Sequence, residues 1–319
     1  MELPEVSIII PTYNYGHLIE ETLESISRQS FKNWECIIVD NESNDDTEKV
    51  VNQWLLKDIR FKYIKIKHCT TSACRNKGLE ISKGKFLQFV DADDQISEGK
   101  LKNQIELFEA NSNASIVYSN AKYYDHGFSN KLRYTLDESN KPWMIEFTGY
   151  SWELLALMLK KNLFVISSPL LKRTVYEETK GFLEKLNWVE DWEFYFRCFA
   201  KNYFVVFDNS ESSSSLIRVH PKSLSRNKIM MHEQSLLARN EVMITLNNIN
   251  RHPHFLLLKE DNYKQLLFLH KSLAKEYAST SSFQSKKHLI SYSLKSKEYK
   301  FLLMIILSFF IPTKIEIPD

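Results

Sequence analysis

Glycine is scarce in this sequence, with seven residues among 319. No two glycines stand two positions apart, so the G-x-G-x-x-G fingerprint of the Rossmann dinucleotide-binding loop is absent. The nearest match to a P-loop, Gly78 to Phe86, has the wrong spacing between its glycines and a Phe where that loop needs a hydroxyl. The sequence therefore excludes the two commonest phosphate-binding loops, and any phosphate must be held in another way.

Net charge is also low, because 42 Lys and Arg residues face 40 Asp and Glu residues, for a net charge of +2. A dedicated nucleic-acid-binding domain is normally far more basic, so we expect no nucleic acid among the partners. Hydrophobic residues make up 43% and aromatic residues 13% of the chain, which excludes the disordered and fibrous classes of protein. At this length we expect one large domain or two ordinary ones.

Cysteine is rare as well, since the chain has four cysteines and no C-x-x-C pair. They indicate buried thiols in a reducing compartment, and neither a disulfide framework nor a zinc site. The N-terminus is acidic, and its first apolar run is too short for a signal peptide. We therefore expect a cytoplasmic protein.

The first half of the chain alternates short apolar runs with helical patterns. Val6–Ile10, Cys36–Val39 and Phe86–Val90 have the composition of buried strands, and amphipathic segments separate them. Repeated β-α-β units predict an α/β fold with a mostly parallel central sheet flanked by helices. Ligands bind beyond the carboxyl ends of strands in such sheets, and the acidic residues Asp40 and 91–94 stand at such ends.

The sequence changes character in its last third, which we take as the boundary between a domain of residues 1–228 and a mainly helical C-terminal region of residues 229–319. Residues 251–300 hold ten Lys and Arg against four Asp and Glu. Residues 301–311 are almost wholly apolar but too few to span a bilayer. This end is either a buried helix or, over residues 286–311, an interfacial segment that binds the anionic inner face of the cell membrane peripherally.

Three carboxylates crowd the end of the predicted strand Phe86–Val90, namely those of Asp91, Asp93 and Asp94. Like charges at this spacing repel one another unless a cation binds. Mn²⁺ or Mg²⁺ accepts a few carboxylates and leaves its other positions to phosphate oxygens and water. The alternative is a helix N-cap formed by Asp94 or Ser97. Because a cap uses one acid and three are present, we favour a metal-diphosphate site.

Two further polar pairs have both a structural and a functional explanation. Asp40-Asn41 suits an Asx-turn as well as a ligand contact. Glu190-Asp191, flanked by two tryptophans at the start of an aromatic helix, suits the positive end of the helix dipole. Burial among indole rings would also raise the pKa of a carboxylate toward the value that a general base needs. The residues alone leave both alternatives open.

These segments resemble family 2 of the glycosyltransferases in their content and in their order. The resemblance covers about residues 5 to 228 and is carried by the motifs Val6–Asn14, Val39–Thr47, Ala73–Gly78, Phe89–Asp94 and Glu190–Trp192. The later segment Arg218–Ser225 is similar to the Arg-x-His segment of that family. The resemblance implies a GT-A fold and transfer of a sugar from a nucleotide diphosphate donor, with inversion at the anomeric carbon.

The resemblance also implies roles for individual residues. It implies a nucleotide pocket lined by Pro11, Thr12, Tyr13, Asn14, Asp40, Asn41 and Arg75, with Asp91 facing the ribose. It implies that Asp93 binds the Mn²⁺ or Mg²⁺ ion that bridges the diphosphate, that His220 approaches the metal or the diphosphate from the far side, and that Asp191 takes the proton of the acceptor hydroxyl. The neighbours expected to contact the acceptor or donor sugar are Asp94, Glu190 and Trp192.

One position departs from the family pattern, because many members have two successive acids where this chain has Asp40-Asn41. The second acid often pairs with the uracil N–H, which an Asn can still meet through its amide oxygen. The expected donor is therefore a UDP-sugar, with a thymidine diphosphate sugar as the alternative.

The same resemblance implies a saccharide or lipid-linked acceptor in bacterial surface polysaccharide synthesis. Two rival functions remain, a non-catalytic nucleotide-sugar-binding copy of the family and a nucleotidyltransferase. A nucleotidyltransferase needs a basic, glycine-rich loop after its first strand, and Pro11–Gly16 has one glycine and no Lys or Arg.

Overall fold

A computed structural model describes residues 3–67, 69–137, 140–220, 227–250, 252–277 and 282–296. The chain divides into two compact units, Met1–Ser223 and Leu224–Asp319. The first unit contains the strands, and the described part of the second unit is helical.

The apolar runs form strands, as the sequence predicts. In chain order the strands are β1 Val6–Thr12, β2 Trp34–Asp40, β3 Phe61–Lys65, β4 Phe86–Phe89, β5 Gln95–Ile96, β6 Ala114–Ser119, β7 Ala121–Asp125, β8 Gly149–Tyr150, β9 Leu170–Lys172, β10 Phe204–Asp208 and β11 Ser215–Val219. Eight of them form one sheet in the order β3-β2-β1-β4-β9-β6-β10-β8. Strands β1 to β4 are parallel, and β9 runs antiparallel to β4 and β6. The predicted mostly parallel sheet is confirmed.

Helices connect and cover these strands. In the first unit they are α1 Ile19–Ser27, α2 Thr47–Lys57, α3 Thr71–Ile81, α4 Lys100–Ala110, α5 Leu155–Met158, α6 Arg173–Thr179 and α7 Glu190–Ala200. Helix α3 begins after Thr70, whose side chain caps it by accepting the N–H of Ala73 at 3.2 Å. A Cβ on Gly78 would lie 2.5 Å from Cγ2 of Ile9 in β1, so this glycine lets α3 pack closely on the sheet.

A second, three-stranded sheet has the order β5-β11-β7, and its strand β5 is the next strand after β4 along the chain. The sequence predicts β11 but not β5 or β7, because a two-residue strand such as Gln95–Ile96 has no measurable periodicity. Strand β5 pairs antiparallel with β11, with Leu216 opposite Gln95. The pairing ties the acidic segment after β4 to the late Arg-x-His segment.

Three helices make up the described part of the second unit, namely α8 Lys228–Asn248, α9 Phe255–Tyr277 and α10 Ser282–Ser296. Leu236 of α8 packs in an apolar cluster with Leu266, Leu269 and Leu273 of α9. The predicted helical C-terminal region is thus confirmed. Residues 301–311 lie outside the described residues, and within the described ones no helix has the length and apolar character that crossing a bilayer requires.

Candidate active site

Strands β1 and β2 end side by side, with Thr12 opposite Asp40. The Asp40 side chain is fully buried, and its Oδ1 atom accepts the N–H of Ser43 at 2.8 Å and the hydroxyl of Ser43 at 2.6 Å. Its Oδ2 atom accepts the Tyr63 hydroxyl at 2.5 Å, and burial together with this carboxylate raises the pKa of Tyr63. Asp40 is therefore an anchor for the loop after β2 as well as a candidate nucleotide contact.

The turn after β1 is held by the same loop. Asn14 has a φ of 58°, in the left-handed region that Asn tolerates better than most residues. Its N–H donates to the Ser43 hydroxyl at 2.8 Å, and its Oδ1 atom accepts the N–H of Asn44 at 2.9 Å. Pro11 is buried at the strand end, whereas Tyr13 is 52% exposed. The predicted nucleotide-pocket residues of β1 and β2 thus lie together.

Asn41 uses its amide to hold the neighbouring segment of the chain. Its Oδ1 atom accepts the N–H of Cys69 at 2.8 Å, and its Nδ2 group donates to the carbonyl of Cys69 at 2.9 Å. This two-point contact fixes the backbone just before α3. The expected contact of Asn41 with the base stays a prediction, and it would have to share the amide oxygen with Cys69.

Arg75, on α3, joins two of the acidic clusters. It is 2% exposed, its Nη2 atom lies 2.8 Å from Oδ1 of Asp91, and its Nη1 atom lies 2.5 Å from Oε1 of Glu190. Burial raises the pKa of Glu190 to about 7, with Asp191 adding to the rise and Arg75 opposing it. A buried guanidinium between two carboxylates brings the end of β4 to the start of α7.

Asp93 and His220 form a second pair at the end of β4. Nε2 of His220 lies 2.9 Å from Oδ2 of Asp93, and the Tyr15 ring stands edge-on to the imidazole with a centroid distance of 6.4 Å. Burial and then the charge of Asp91 raise the pKa of Asp93, against the contact with His220. A divalent cation would relieve this repulsion, and a carboxylate oxygen with an imidazole nitrogen suits Mn²⁺. The two predicted metal residues therefore meet.

Protein side chains alone do not enclose a cation here. Within the described ranges, no three His, Cys, Asp or Glu side chains are grouped so that they could hold a metal ion together. Mn²⁺ and Mg²⁺ often keep waters or substrate phosphates among their ligands, so a partial protein site fits a metal that arrives with a diphosphate.

Asp94 accepts the backbone N–H of Arg218 in β11 at 2.9 Å and is 6% exposed. Burial, followed by the charges of Asp93 and Asp91, raises its pKa. The alternative in which Asp94 or Ser97 caps the next helix is wrong, because the N-cap of α4 is Gly99 and no side chain caps it. The chain first pairs as β5 and only then turns into the helix.

Asp191 lies in the first turn of α7, and this helix begins directly after Val189, whose φ of 56° is unusual for a β-branched residue. Its Oδ1 atom accepts the N–H of Trp192 at 2.7 Å, and its Oδ2 atom accepts from the Asn162 amide at 3.3 Å. Burial raises its pKa, and the charge of Asp91 adds to the rise. A half-buried carboxylate with a raised pKa has the properties of a general base.

Trp192 packs into the interior of the first unit. It is 7% exposed, and its indole N–H donates to the carbonyl of Met158 at 2.8 Å. Its predicted contact with a sugar stays a prediction, as does that of Glu190 and Asp94.

Three polar residues of this site were not singled out from the sequence, and they are Ser43, Tyr63 and Asn162. The position of Ser43, three residues after Asp40, is the one signal that an Asx-type turn could have provided. The other two come from distant parts of the chain and carry no local pattern.

The chain is similar to known proteins in both sequence and fold. The family model described as "Glycosyl transferase family 2" matches residues 7–170. A curated Escherichia coli relative, the UDP-Glc:α-D-GlcNAc-diphosphoundecaprenol β-1,3-glucosyltransferase WfaP, is 41% identical over 125 residues, which is 39% of this chain and 47% of that protein. The chain thus spans about half the length of this relative.

Solved structures share the fold at low sequence identity. The Staphylococcus aureus TarS fragment 1–349 in complex with UDP-GlcNAc superimposes with a TM-score of 0.61 at 18% identity, over 99% of this chain and 95% of that one. The mannosyltransferase PcManGT of Pyrobaculum calidifontis, in complex with GDP-Man and Mn²⁺, gives a TM-score of 0.55 at 16% identity, over 98% and 89% of the two chains.

Proposed function

Since this chain belongs to glycosyl transferase family 2 and has the GT-A fold, we propose that it moves a sugar from a nucleoside diphosphate sugar to an acceptor hydroxyl with inversion. The observation that carries the proposal is the buried Arg75, which bridges Asp91 at the end of β4 and Glu190 at the start of α7. The bridge holds the donor side of the site against Asp191, the candidate base.

Donor binding is assigned to the ends of β1, β2 and β4. Thr12 lies opposite Asp40 there, Ser43 joins Asp40 to Asn14, and Thr12, Asn14 and Asp40 would hold the nucleoside. Asp93 and His220 would hold Mn²⁺ or Mg²⁺. The ion would offset the negative charge that builds on the diphosphate as it leaves. UDP is the expected nucleotide, supported by the UDP-sugar donor in the name of the E. coli relative and by the UDP-GlcNAc complex of TarS.

Chemistry at the acceptor is assigned to Asp191. Its carboxylate takes the hydroxyl proton while the acceptor oxygen forms its bond to the anomeric carbon, and the bond from that carbon to the diphosphate oxygen breaks. The electron pair of the broken bond leaves with the nucleoside diphosphate. A single displacement of this kind inverts the anomeric carbon, and the raised pKa of Asp191 suits it to accept a proton.

The acceptor is proposed to be a saccharide or a lipid-linked saccharide of surface polysaccharide synthesis. Support comes from the E. coli relative, whose printed acceptor is carried on diphosphoundecaprenol. Lipid-linked acceptors lie at a membrane, and α9 and α10 expose apolar side chains beside lysines, among them Leu256 at 67% and Phe283 at 65%. We therefore place the protein in the cytoplasm, peripherally on an anionic membrane surface.

Thermal-shift screening of the full chain tests the donor assignment. UDP, thymidine diphosphate and GDP sugars are each added with MnCl₂ or with a chelator, because a ligand that binds the folded state raises the melting temperature in proportion to its saturation. A shift with UDP-sugars that needs Mn²⁺ supports the proposal. No shift with any nucleotide sugar would refute it.

A further inference from the structure

Arg218 is a buried cation directly behind the acidic segment 91–94. It lies in β11 and is 3% exposed, and the buried ring of Tyr124 lies 5.0 Å from the centre of its guanidinium. A charge that is removed from water in this way persists only where it is paired and hydrogen-bonded. The partners of Arg218 therefore indicate what it is for.

Those partners belong to the site and to the helix behind it. Nε of Arg218 donates to the backbone carbonyl of Asp93 at 2.8 Å, and its backbone N–H donates to the Asp94 carboxylate at 2.9 Å. Nη1 and Nη2 lie 3.3 and 3.0 Å from the two carboxylate oxygens of Glu21 on α1, and Nη1 also lies 3.2 Å from Nδ1 of His126. All three guanidinium nitrogens are thus engaged with protein groups, and these contacts use four of the five N–H donors of Arg218.

The same stretch of chain holds Asp93 from two sides. Arg218 bonds the main chain of Asp93, and His220, two residues further on, bonds its carboxylate at 2.9 Å. Glu21 also accepts from the Gln95 amide at 3.1 Å, so α1 contacts both Arg218 in β11 and Gln95 in β5. Because Arg218 holds the backbone carbonyl of Asp93, the Asp93 carboxylate can take only a small range of positions relative to the His220 imidazole.

We propose that Arg218 is a positioning residue, which sets the Asp93–His220 pair in place for a divalent cation and the diphosphate. The inference rests on the proposed function, in which that pair holds the metal. Arg218 touches neither substrate nor metal, and it acts through the backbone of Asp93. Residues that orient metal ligands from outside typically contribute 10- to 100-fold to metal affinity.

Arg218→Lys tests this role, because a Lys keeps the charge but cannot bond Asp93 and both oxygens of Glu21 at once. The matched control is Arg197→Lys. Arg197 is a comparable Arg on α7 that bonds both oxygens of Glu193 at 2.7 and 2.9 Å and the carbonyls of Thr179 and Gly181 at 2.5 and 2.7 Å. Both substitutions remove the same kind of bonds, so they separate a general loss of packing from a loss of positioning.

Two readouts on the full chain decide the matter. Calorimetric titration with UDP and MnCl₂ is expected to show binding weakened about tenfold or more by Arg218→Lys and changed less than about twofold by Arg197→Lys. Hydrogen exchange without any ligand is expected to accelerate in peptides covering residues 91–96 for Arg218→Lys alone. Unchanged titration and unchanged exchange in Arg218→Lys would overturn the proposal.

The two proposals fail in different ways. If the unsubstituted chain shows no Mn²⁺-dependent binding of UDP, the metal-diphosphate function fails, while faster exchange at 91–96 still supports positioning by Arg218. If Arg218→Lys does not fold, Glu21→Gln takes its place, because it removes the charge that orients the Arg218 guanidinium and so weakens the hold of Arg218 on the Asp93 carbonyl. Glu21→Gln is then expected to weaken UDP–Mn²⁺ binding severalfold, and unchanged binding would overturn the inference.

Discussion

Nη1 of Arg75 lies 2.5 Å from Oε1 of Glu190, although the two residues are separated by 115 positions in the chain. The second arm of the same guanidinium lies 2.8 Å from Asp91. The side chain of Arg75 on α3 therefore contacts both Asp91, which follows β4, and Glu190, the first residue of α7. We call this pair of contacts, Arg75 to Asp91 and Arg75 to Glu190, the Arg75 junction.

Arg75→Met is expected to lower the free energy of unfolding by about 3–5 kcal/mol, because it strands the buried Glu190 carboxylate and removes the partner of Asp91. Denaturant unfolding measures this loss. The control is Arg28→Met, since Arg28 and Glu24 form a surface pair with 57% and 50% of their side chains exposed and such pairs contribute less than about 1 kcal/mol. An equal loss of unfolding free energy in the two variants would contradict a stabilising role of the Arg75 contacts with Asp91 and Glu190.

Asp93→Asn is expected to abolish the effect of Mn²⁺ on nucleotide binding while the protein stays folded, because an amide keeps the size of the side chain and loses its charge. Titration with UDP should give the same affinity with MnCl₂ and with a chelator, whereas the unsubstituted chain should bind at least about 100-fold more tightly with the metal. Asp261→Asn, in α9, is the matched control. Retained metal stimulation in Asp93→Asn would remove Asp93 from the metal site.

His270 and His288 face each other across α9 and α10, with their Nδ1 atoms 3.3 Å apart. Burial, followed by the charges of His288 and Lys295, lowers the pKa of His270 to about 4, whereas an unfolded His titrates near about 6.5. The unfolded chain therefore takes up a proton between these values that the folded chain refuses. This contribution to stability is fully present above about pH 6.5 and is lost as the pH drops toward 4.

Far-UV circular dichroism of urea unfolding at several pH values measures this loss in the helical unit. All six tryptophans lie in the first unit, so tryptophan fluorescence of the same samples reports that unit as an internal reference. His270→Gln is expected to flatten the acid dependence of the helical signal. An equal acid loss in the variant and in the unsubstituted chain would assign the effect to other groups.

Binding to anionic membranes is expected to depend on lysines of α10. The full chain should sediment with phosphatidylglycerol vesicles at low salt and stay in solution with phosphatidylcholine vesicles, because polybasic segments are attracted to anionic surfaces. Exchanging Lys286 and Lys287 for Gln should weaken binding by about 1 kcal/mol each. Exchanging Lys49 for Gln, on α2 of the first unit, is the control, and binding that is indifferent to lipid charge would refute the membrane proposal.

The sheet and the positions of its acids could be predicted from local sequence. Every residue of Val6–Thr12 and Trp34–Asp40 is buried, so continuous apolar runs identified these strands, and the polar residues at their ends marked the ligand edge. Strand β5 could not be found in this way, since it exists only through its pairing with β11. Missing it led to the wrong alternative of a cap at Asp94.

Contacts between residues far apart in the chain could not be predicted for the site. The segment containing Arg75 was recognised, but no local pattern indicates that its guanidinium meets Glu190 rather than another acid. Arg218 also belongs to a recognised segment. Its bond to the Asp93 carbonyl could not be predicted, because it depends on the pairing of β11 with β5 in the three-stranded sheet. The sugar contact expected of Trp192 stays a prediction, and no local pattern indicates that its indole bonds the Met158 carbonyl.

The most direct test of the proposed mechanism is the rate at which Asp191→Asn turns over a UDP-sugar at saturating donor and Mn²⁺, with UDP–Mn²⁺ binding measured in the same preparation. Because the base acts only in the transfer step, we predict a rate lowered by about 10²- to 10⁴-fold and donor affinity within about twofold of the unsubstituted chain. Asp261→Asn should change neither. Full turnover by Asp191→Asn would contradict the assignment of the base and with it the inverting mechanism proposed for this site.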